Sequence, residues 1–299
     1  MQAHHSNHAD QSKPTPSQRV AIWSISMFTG PALSNLKPLH DRSVPILSAK
    51  NVDDATALFV ADPFMINVAA VWYMFFEVLN ADTRKGEIGL ATSKNGLDWS
   101  YDQIVLSEPF HLSYPYVFHV DGEYFLIPES YQANSIRLYR ASSFPTKWLF
   151  IKNILDGPWV DSSLFWFDGM WWMFSNPAFP ENQILELFYA SEITGPWHRH
   201  PRSPLITGNI RLARLGGRTI VHRNVPIRFA QNCAPHYGTA VRAFDITCLT
   251  TVDYMERELN GSPILRAGHE GWRQSGMHHI DPHLVNGNWL ACVDGWRFD

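Results

Sequence analysis

The stretch Val60-Ala61-Asp62-Pro63-Phe64-Met65-Ile66, followed closely by Trp72-Tyr73-Met74-Phe75-Phe76-Glu77, reads as an apolar strand opening on a carboxylate, a short turn, and an aromatic strand closing on a second carboxylate. The same unit recurs. Ser113-Tyr114-Pro115-Tyr116-Val117-Phe118 leads through Asp121-Gly122 into Glu123-Tyr124-Phe125-Leu126-Ile127-Pro128-Glu129. Val160-Asp161-Ser162-Ser163-Leu164-Phe165 leads through Asp168-Gly169 into Trp171-Trp172-Met173-Phe174. Each copy continues into a third strand, over residues 86–93, 135–142 and 184–191, and then reaches a tryptophan. Trp99, Trp148 and Trp197 stand 49 residues apart. A fixed period of about 50 residues with about four strands in each predicts an all-β fold, a five-bladed β-propeller. Five periods account for nearly all of the 299 residues.

Outward from these units, blade one is expected over residues 59–106, blade two over 114–155 and blade three over 160–205. Asn95-Gly96, Asp121-Gly122 and Asp168-Gly169 stand where tight hairpin turns need positive φ. In the fourth unit, residues 209–217 take the inner-strand position, 218–223 the second and 237–246 the third, and 251–274 form a connecting loop or short helix. The fifth opens at His278-His279-Ile280-Asp281-Pro282-His283-Leu284 and continues through Asn286-Gly287. Val20, Ile22, Ile25 and Phe28 alternate as in a strand without a blade of its own, so the N-terminal strand is expected to close the last blade. Residues 1–18, rich in His, Ser, Pro and Gln, read as a disordered tail before a single propeller domain over 19–299. His4, His5 and His8 belong to that tail.

The composition narrows the function classes. Only 17% of residues are charged, the formal net charge is −4, and no Lys/Arg-rich block is present, which argues against a nucleic-acid partner. No apolar run approaches the roughly 18 residues that span a bilayer, and the first residues hold no apolar signal core. Cys233, Cys248 and Cys292 form no CxxC pair and read as buried thiols, so a reducing cytoplasm is the simplest location. Oligomeric state is left open.

In a propeller the inner strands run beside the central axis, and the residues that open them converge from remote positions. Here these are Asp62, Tyr114, Asp161, Arg211 or Arg214, and His279 with Asp281. The second strands return to the same face and bring Glu77 and Glu129. One Asp-Pro alone is an ordinary turn, whereas Asp62, Asp161 and Asp281 at matching blade positions argue for a site. Several carboxylates in one funnel suit glycosidic cleavage, which needs an acid for the leaving oxygen and a base or nucleophile opposite it. Trp72, Tyr114 and Phe64 can pack on the apolar faces of a sugar. Trp99, Trp148 and Trp197 read as outer-strand packing. His278, His279 and His283 have no second cluster at metal-ligand spacing, so a hydrogen-bonding role is preferred, no catalytic metal is assigned and no cofactor is required. A hydrated cation in the axial channel, held by one of these histidines or by carboxylates, is compatible with the pattern.

Ala61-Asp62-Pro63-Phe64, Lys85-Gly86-Glu87-Ile88-Gly89, His111-Leu112-Ser113-Tyr114-Pro115, Ile127-Pro128-Glu129-Ser130, Arg137-Leu138-Tyr139, Arg228-Phe229-Ala230-Gln231 and His278-His279-Ile280-Asp281 resemble the N-terminal domain of plant glucosamine inositolphosphorylceramide transferases and bacterial relatives. That domain is similar in turn to the five-bladed arabinanase, xylosidase and invertase propellers. The resemblance implies their fold, an axial site and inversion of configuration, with Asp62 as base and Asp161 as the residue that tunes and orients. It departs in blade four, where Arg211-Leu212-Ala213-Arg214 stands in place of an acidic Glu. Glu129 and then His279 are therefore the candidate acids, and Glu77, Tyr114, Trp72, Arg211, Arg214 and Asp281 the candidate substrate-binding residues. The expected function is a glycoside hydrolase-like enzyme acting on a small molecule or oligosaccharide. Two rivals are a non-catalytic glycan or glycolipid-headgroup binding module, and a propeller recruited to non-glycosidic cyclisation or elimination.

Overall fold

The computed structural model describes residues 20–39 and 43–298, so the proposed tail over residues 1–18 lies outside the described residues. Five antiparallel sheets surround one axis, making the expected five-bladed propeller. Among the described residues the only helices are four single 3-10 turns.

Blade one runs Ala57–Val68, Val71–Asn80, Gly86–Ser93 and Ser100–Leu106 from the axis outward. Blade two runs Ser113–Val120, Glu123–Glu129, Ser135–Ser143 and Lys147–Asp156. Blade three runs Trp159–Phe167, Met170–Pro177 and Ile184–Ala190, with His198–Arg199 and Ile206–Thr207 both on its third strand. In blade five, Ile280–Val285 is innermost, Asn288–Phe298 follows, and the N-terminal Ala21–Gly30 and Lys37–Pro38 complete the sheet. The closure by the N-terminal strand is as expected.

Blade four corrects the sequence reading. Its inner strand is Ile220–His222 and its second is Val225–Asn232, so residues 218–223 belong mainly to the inner strand. Tyr254–Glu258, placed by sequence in a connecting loop or short helix, is its fourth strand. Residues 214–219 reach the axis as irregular chain, held by single bridges of Leu215 to Ala230 and Gly217 to Ile280. The cause is the hairpin. Arg223-Asn224 forms its turn with both residues at positive φ, 50° and 62°, and carries no glycine to mark it.

Two features aim side chains at the axis. Asp62, Tyr114 and Asp161 all have positive φ, at 53°, 45° and 49°. Each sits in a break of strand register, between Ala61 and Phe64, Ser113 and Tyr116, and Val160 and Ser163. Such a bulge re-aims its side chain, and left-handed backbone at a non-glycine residue costs about 1–3 kcal/mol, which surrounding structure must offset. The second-strand ends are registered opposite these openings, Glu77 with Ala61, Glu129 with Ser113 and Asn176 with Val160.

The apolar core fills the spaces between blades. Phe64 and Phe75 of blade one pack with Tyr116 and Leu126 of blade two and with Leu164 and Met173 of blade three. The periodic tryptophans repeat one contact. The indole N–H of Trp99, Trp148 and Trp197 donates to the carbonyl of Gly96, Pro145 and Ile193, at 3.2, 2.9 and 3.2 Å.

Candidate active site

At the face where the bulged strands open, a cavity of about 180 Å³ is lined by Asp62, Glu77, Glu129, Asp161 and Arg214 together with Trp23, His111, Ser113, Tyr237 and His278. An outer space of about 300 Å³, edged by Glu181 and Asn182, shares Arg214 and Tyr237 with it. The inner cavity is small for a ligand site, and the outer space adjoins it through Arg214 and Tyr237.

Each carboxylate has a different neighbourhood. Asp161 accepts a very short bond from Arg214 Nε and a second from Gln231 Nε2 at 3.3 Å. Arg214 also bonds Asn182 Oδ1 at 3.3 Å and lies 3.8 Å from Glu129 Oε2. Burial would lower the Arg214 pKa, but Asp161 more than offsets it, so the guanidinium stays charged. Glu129 Oε2 is buried and accepts no hydrogen bond, and the carboxyl beside it is that of Asp161. Burial, with Asp161 beside it, pushes the Glu129 carboxyl well above the usual carboxylate range.

Glu77 is raised in the same way, by burial and by Asp62 and Glu129. Its neighbour is His111, whose Nε2 lies 3.4 Å from Glu77 Oε1. The Gly86 N–H donates to His111 Nδ1 at 2.9 Å, so in the neutral ring Nε2 carries the proton and faces Glu77. Burial lowers the His111 pKa and favours that neutral form.

Asp62 is pushed up to about 7 by burial, against the pull of His278 and with the push of Asp294 and Asp161. His278 Nε2 lies 3.7 Å from Asp62 Oδ1, and His278 Nδ1 lies 2.7 Å from Asp294 Oδ1. Asp62, His278 and Asp294 bring metal-ligand atoms within 4.8 Å of one another. Asp294, however, already accepts from His278 Nδ1 and from the backbone N–H groups of His278, His279 and Asp62. A carboxylate so filled does not fit a metal ligand, and the trio is a hydrogen-bonded unit.

The remaining sequence candidates stand outside the cavity. Tyr114 is buried, its hydroxyl spent on Gly217. His279 is enclosed edge-on by Phe64 and Tyr114, at 4.5 and 5.2 Å between ring centroids, with neither ring nitrogen hydrogen-bonded. Burial lowers its pKa to about 4, leaving the ring neutral. Asp281 is deeper along the axis, bonded to Arg218 Nε at 2.5 Å and to the Met65 N–H at 2.6 Å. Burial opposes its ionisation, but Arg218 prevails and holds Asp281 below the usual range. Trp72 lies at the other end of the strand that carries Glu77, paired with Asn67, and Arg211 is exposed. The residues the sequence reading missed are His111, Ser113, Tyr237, Asp294 and the lining role of His278 and Trp23. Asp294 follows from a rule already in use, since Glu77, Glu129, Asn176, Gln231 and Asp294 are all buried polar residues near the axial-site ends of second strands.

The profile of the family described as "Glucosamine inositolphosphorylceramide transferase 1, N-terminal" matches residues 17–296. The chain belongs to this family. Its curated members include glucosamine inositolphosphorylceramide transferase 1 of Oryza sativa subsp. japonica, 34% identical over 297 residues, and that of Arabidopsis thaliana, 33% identical over the same length. Each alignment covers 92% of this chain but only 40% and 39% of the relative, so the chain spans well under half of these relatives.

Among solved structures, the family fold resembles an exo-β-1,3-galactanase from Clostridium thermocellum, with a TM-score of 0.63 and 11% identity over 78% of this chain and 55% of that one. A family 117 glycoside hydrolase from Zobellia galactanivorans superposes with a TM-score of 0.55 and 12% identity, over 79% and 84% of the two chains. An exo-1,5-α-L-arabinanase from a bovine ruminal metagenomic library gives 0.57 and 11%, over 79% and 92%. At such identities the likeness is one of fold.

Proposed function

We propose that this chain is a carbohydrate-active enzyme that cleaves a glycosidic bond in the axial cavity. Asp62 is the base, Glu129 the acid, and Asp161 with Arg214 orients the substrate. The observation that carries this reading is that Asp62 and Glu129 line one cavity in unlike surroundings. Asp62 faces His278 at 3.7 Å, whereas Glu129 stands buried beside the Asp161 carboxylate, and its nearest cation, Arg214, is bound to Asp161. Two carboxyls whose environments separate their protonation are the equipment of glycoside cleavage. Glu129 gives its proton to the departing glycosidic oxygen. Asp62 takes one from the water that attacks the anomeric carbon and releases it to solvent, from which Glu129 is reprotonated. His279, neutral and outside the cavity, is set aside as the acid.

The names of the curated relatives add glucosamine and an inositol-phosphoryl lipid to the glycans worth offering. The test is turnover of a panel of aryl glycosides, amino-sugar glycosides and inositol-containing oligosaccharides by wild type, Asp62→Asn and Glu129→Gln. Losses of about 10²–10⁴ in kcat are expected for each variant. Undiminished turnover by Asp62→Asn would overturn the assignment.

A binding module is the second reading, favoured by Arg214 standing where related propellers place an acid. Saturable glycan binding with no turnover in the wild type would select it.

A further inference from the structure

Trp23, His278 and Asp294 take no direct part in the steps above, yet they form the best-fixed corner of the cavity. Asp294 is fully buried, and four N–H donors converge on it. One of these is the backbone N–H of Asp62, at 2.9 Å from Asp294 Oδ2. Another is the ring of His278, at 2.7 Å. The Trp23 indole covers the face of that ring, 3.9 Å between centroids and 24° from parallel, and Tyr237 meets it edge-on at 5.2 Å. With Nδ1 engaged by Asp294, Nε2 is the ring's only free nitrogen, and it lies on the Asp62 side.

We infer that His278 is a positioning residue of this site, an imidazolium held by Asp294 and Trp23 that favours the ionised form of Asp62. The charges around Asp62 leave it that role. Asp294 from blade five, Asp161 from blade three and Glu77 from the paired strand are all acidic. Arg214 from blade four is committed to Asp161, and His279, whose Nδ1 also lies 3.7 Å from Asp62 Oδ1, is held neutral by burial. Asp62 is buried, and without a cation beside it a carboxyl in such company keeps its proton. His278 supplies the cation. Burial works against its charge, but Asp294 prevails and raises its pKa. A π-face stacked on the ring favours the charged form further.

The functional weight of His278 rests on Asp62 acting as the base, but the experiment needs no turnover. The whole chain, labelled with ¹³Cγ-aspartate, is titrated between about pH 4 and 9 by NMR, with Asp62→Asn identifying the Asp62 signal. In His278→Gln the Asp62 midpoint is expected to rise by about one pH unit or more, a tenfold change in proton affinity. Asp294→Asn separates the causes. Removing that negative charge alone would lower the midpoint, whereas releasing His278 to its neutral form raises it.

A midpoint in His278→Gln within about 0.3 unit of wild type, or a fall in Asp294→Asn, overturns the inference. The other aspartate signals report whether each variant keeps its fold, and His278→Asn replaces His278→Gln if it does not. A shifted midpoint in a chain that hydrolyses nothing would sink the proposed reaction and leave this role standing. Asp62-dependent hydrolysis with an unmoved midpoint would do the reverse.

Discussion

The hydroxyl of Tyr114 donates to the carbonyl of Gly217 and accepts from the amide of the same residue, both at 2.9 Å. One phenol from blade two thus serves both polar groups of a residue that belongs to no strand ladder, 103 positions later. Tyr114→Phe would leave the Gly217 amide and carbonyl buried and unpaired. It is expected to cost about 1–3 kcal/mol, read as a lower denaturation midpoint with an unchanged slope.

The pH dependence of turnover follows from the two carboxyls. Asp62, pushed up to about 7, must lose its proton to act as base, so kcat/KM should climb through that region. Glu129, raised well above the usual range, must keep its proton, so the rate should fall again at higher pH. Glu129→Gln should abolish the alkaline fall along with most of the rate, and a pH–rate series on both proteins checks this.

Stability should run against pH in one respect. The folded pKa of Glu77 is raised, so between the unfolded value and the folded one the native state holds a proton that the unfolded chain has lost. Its contribution therefore declines as pH rises through that window. Glu77→Gln should match wild type near pH 4 and exceed it near pH 8, by on the order of 1 kcal/mol or more in thermal or denaturant unfolding.

Ala69 and Ala70 form the blade-one inner turn with φ of 50° and 65°. Such a pair favours Asn-Gly, and glycine adopts this region at no steric cost. Ala69→Asn with Ala70→Gly should raise stability by about 1 kcal/mol, visible as a gain of about 1–2 °C in Tm. No change in turnover is expected, because the turn is at the opposite end of the strand from Asp62.

The same turns explain how much could be read from sequence. All five inner hairpins turn through two residues at positive φ, at 69–70, 121–122, 168–169, 223–224 and 286–287. Three contain Asn-Gly or Asp-Gly and were legible, while Ala69-Ala70 and Arg223-Asn224 carry no glycine. Blade one survived that silence because its strands are long and aromatic. Blade four, with an inner strand of three residues, did not, and its strands were assigned out of place.

At the site, the register of second strands against bulged openings made Asp62, Glu77, Glu129 and Asp161 legible, with Arg214 named as one of two options. Trp72 was misplaced by proximity in sequence to Glu77. Five residues of extended strand separate the two by about 17 Å. The work of His278 and Asp294 was hidden because one turns on a ring orientation and the other on which N–H groups converge, and neither leaves a periodic trace.

The pairing of Ala21–Gly30 with Asn288–Phe298 also sets an order of events during synthesis. Thr29 Oγ1 meets its partner, the carbonyl of Trp289, across 260 residues of intervening chain. Ala21–Gly30 must wait, with Trp23 uncovered, until Asn288–Phe298 has also been made. A polypeptide interrupted before residue 278 has no His278 for Trp23 to cover and no Asp294 to hold it. Such a product carries Asp62, Glu77, Glu129 and Asp161 without the Asp294–His278 corner beside them.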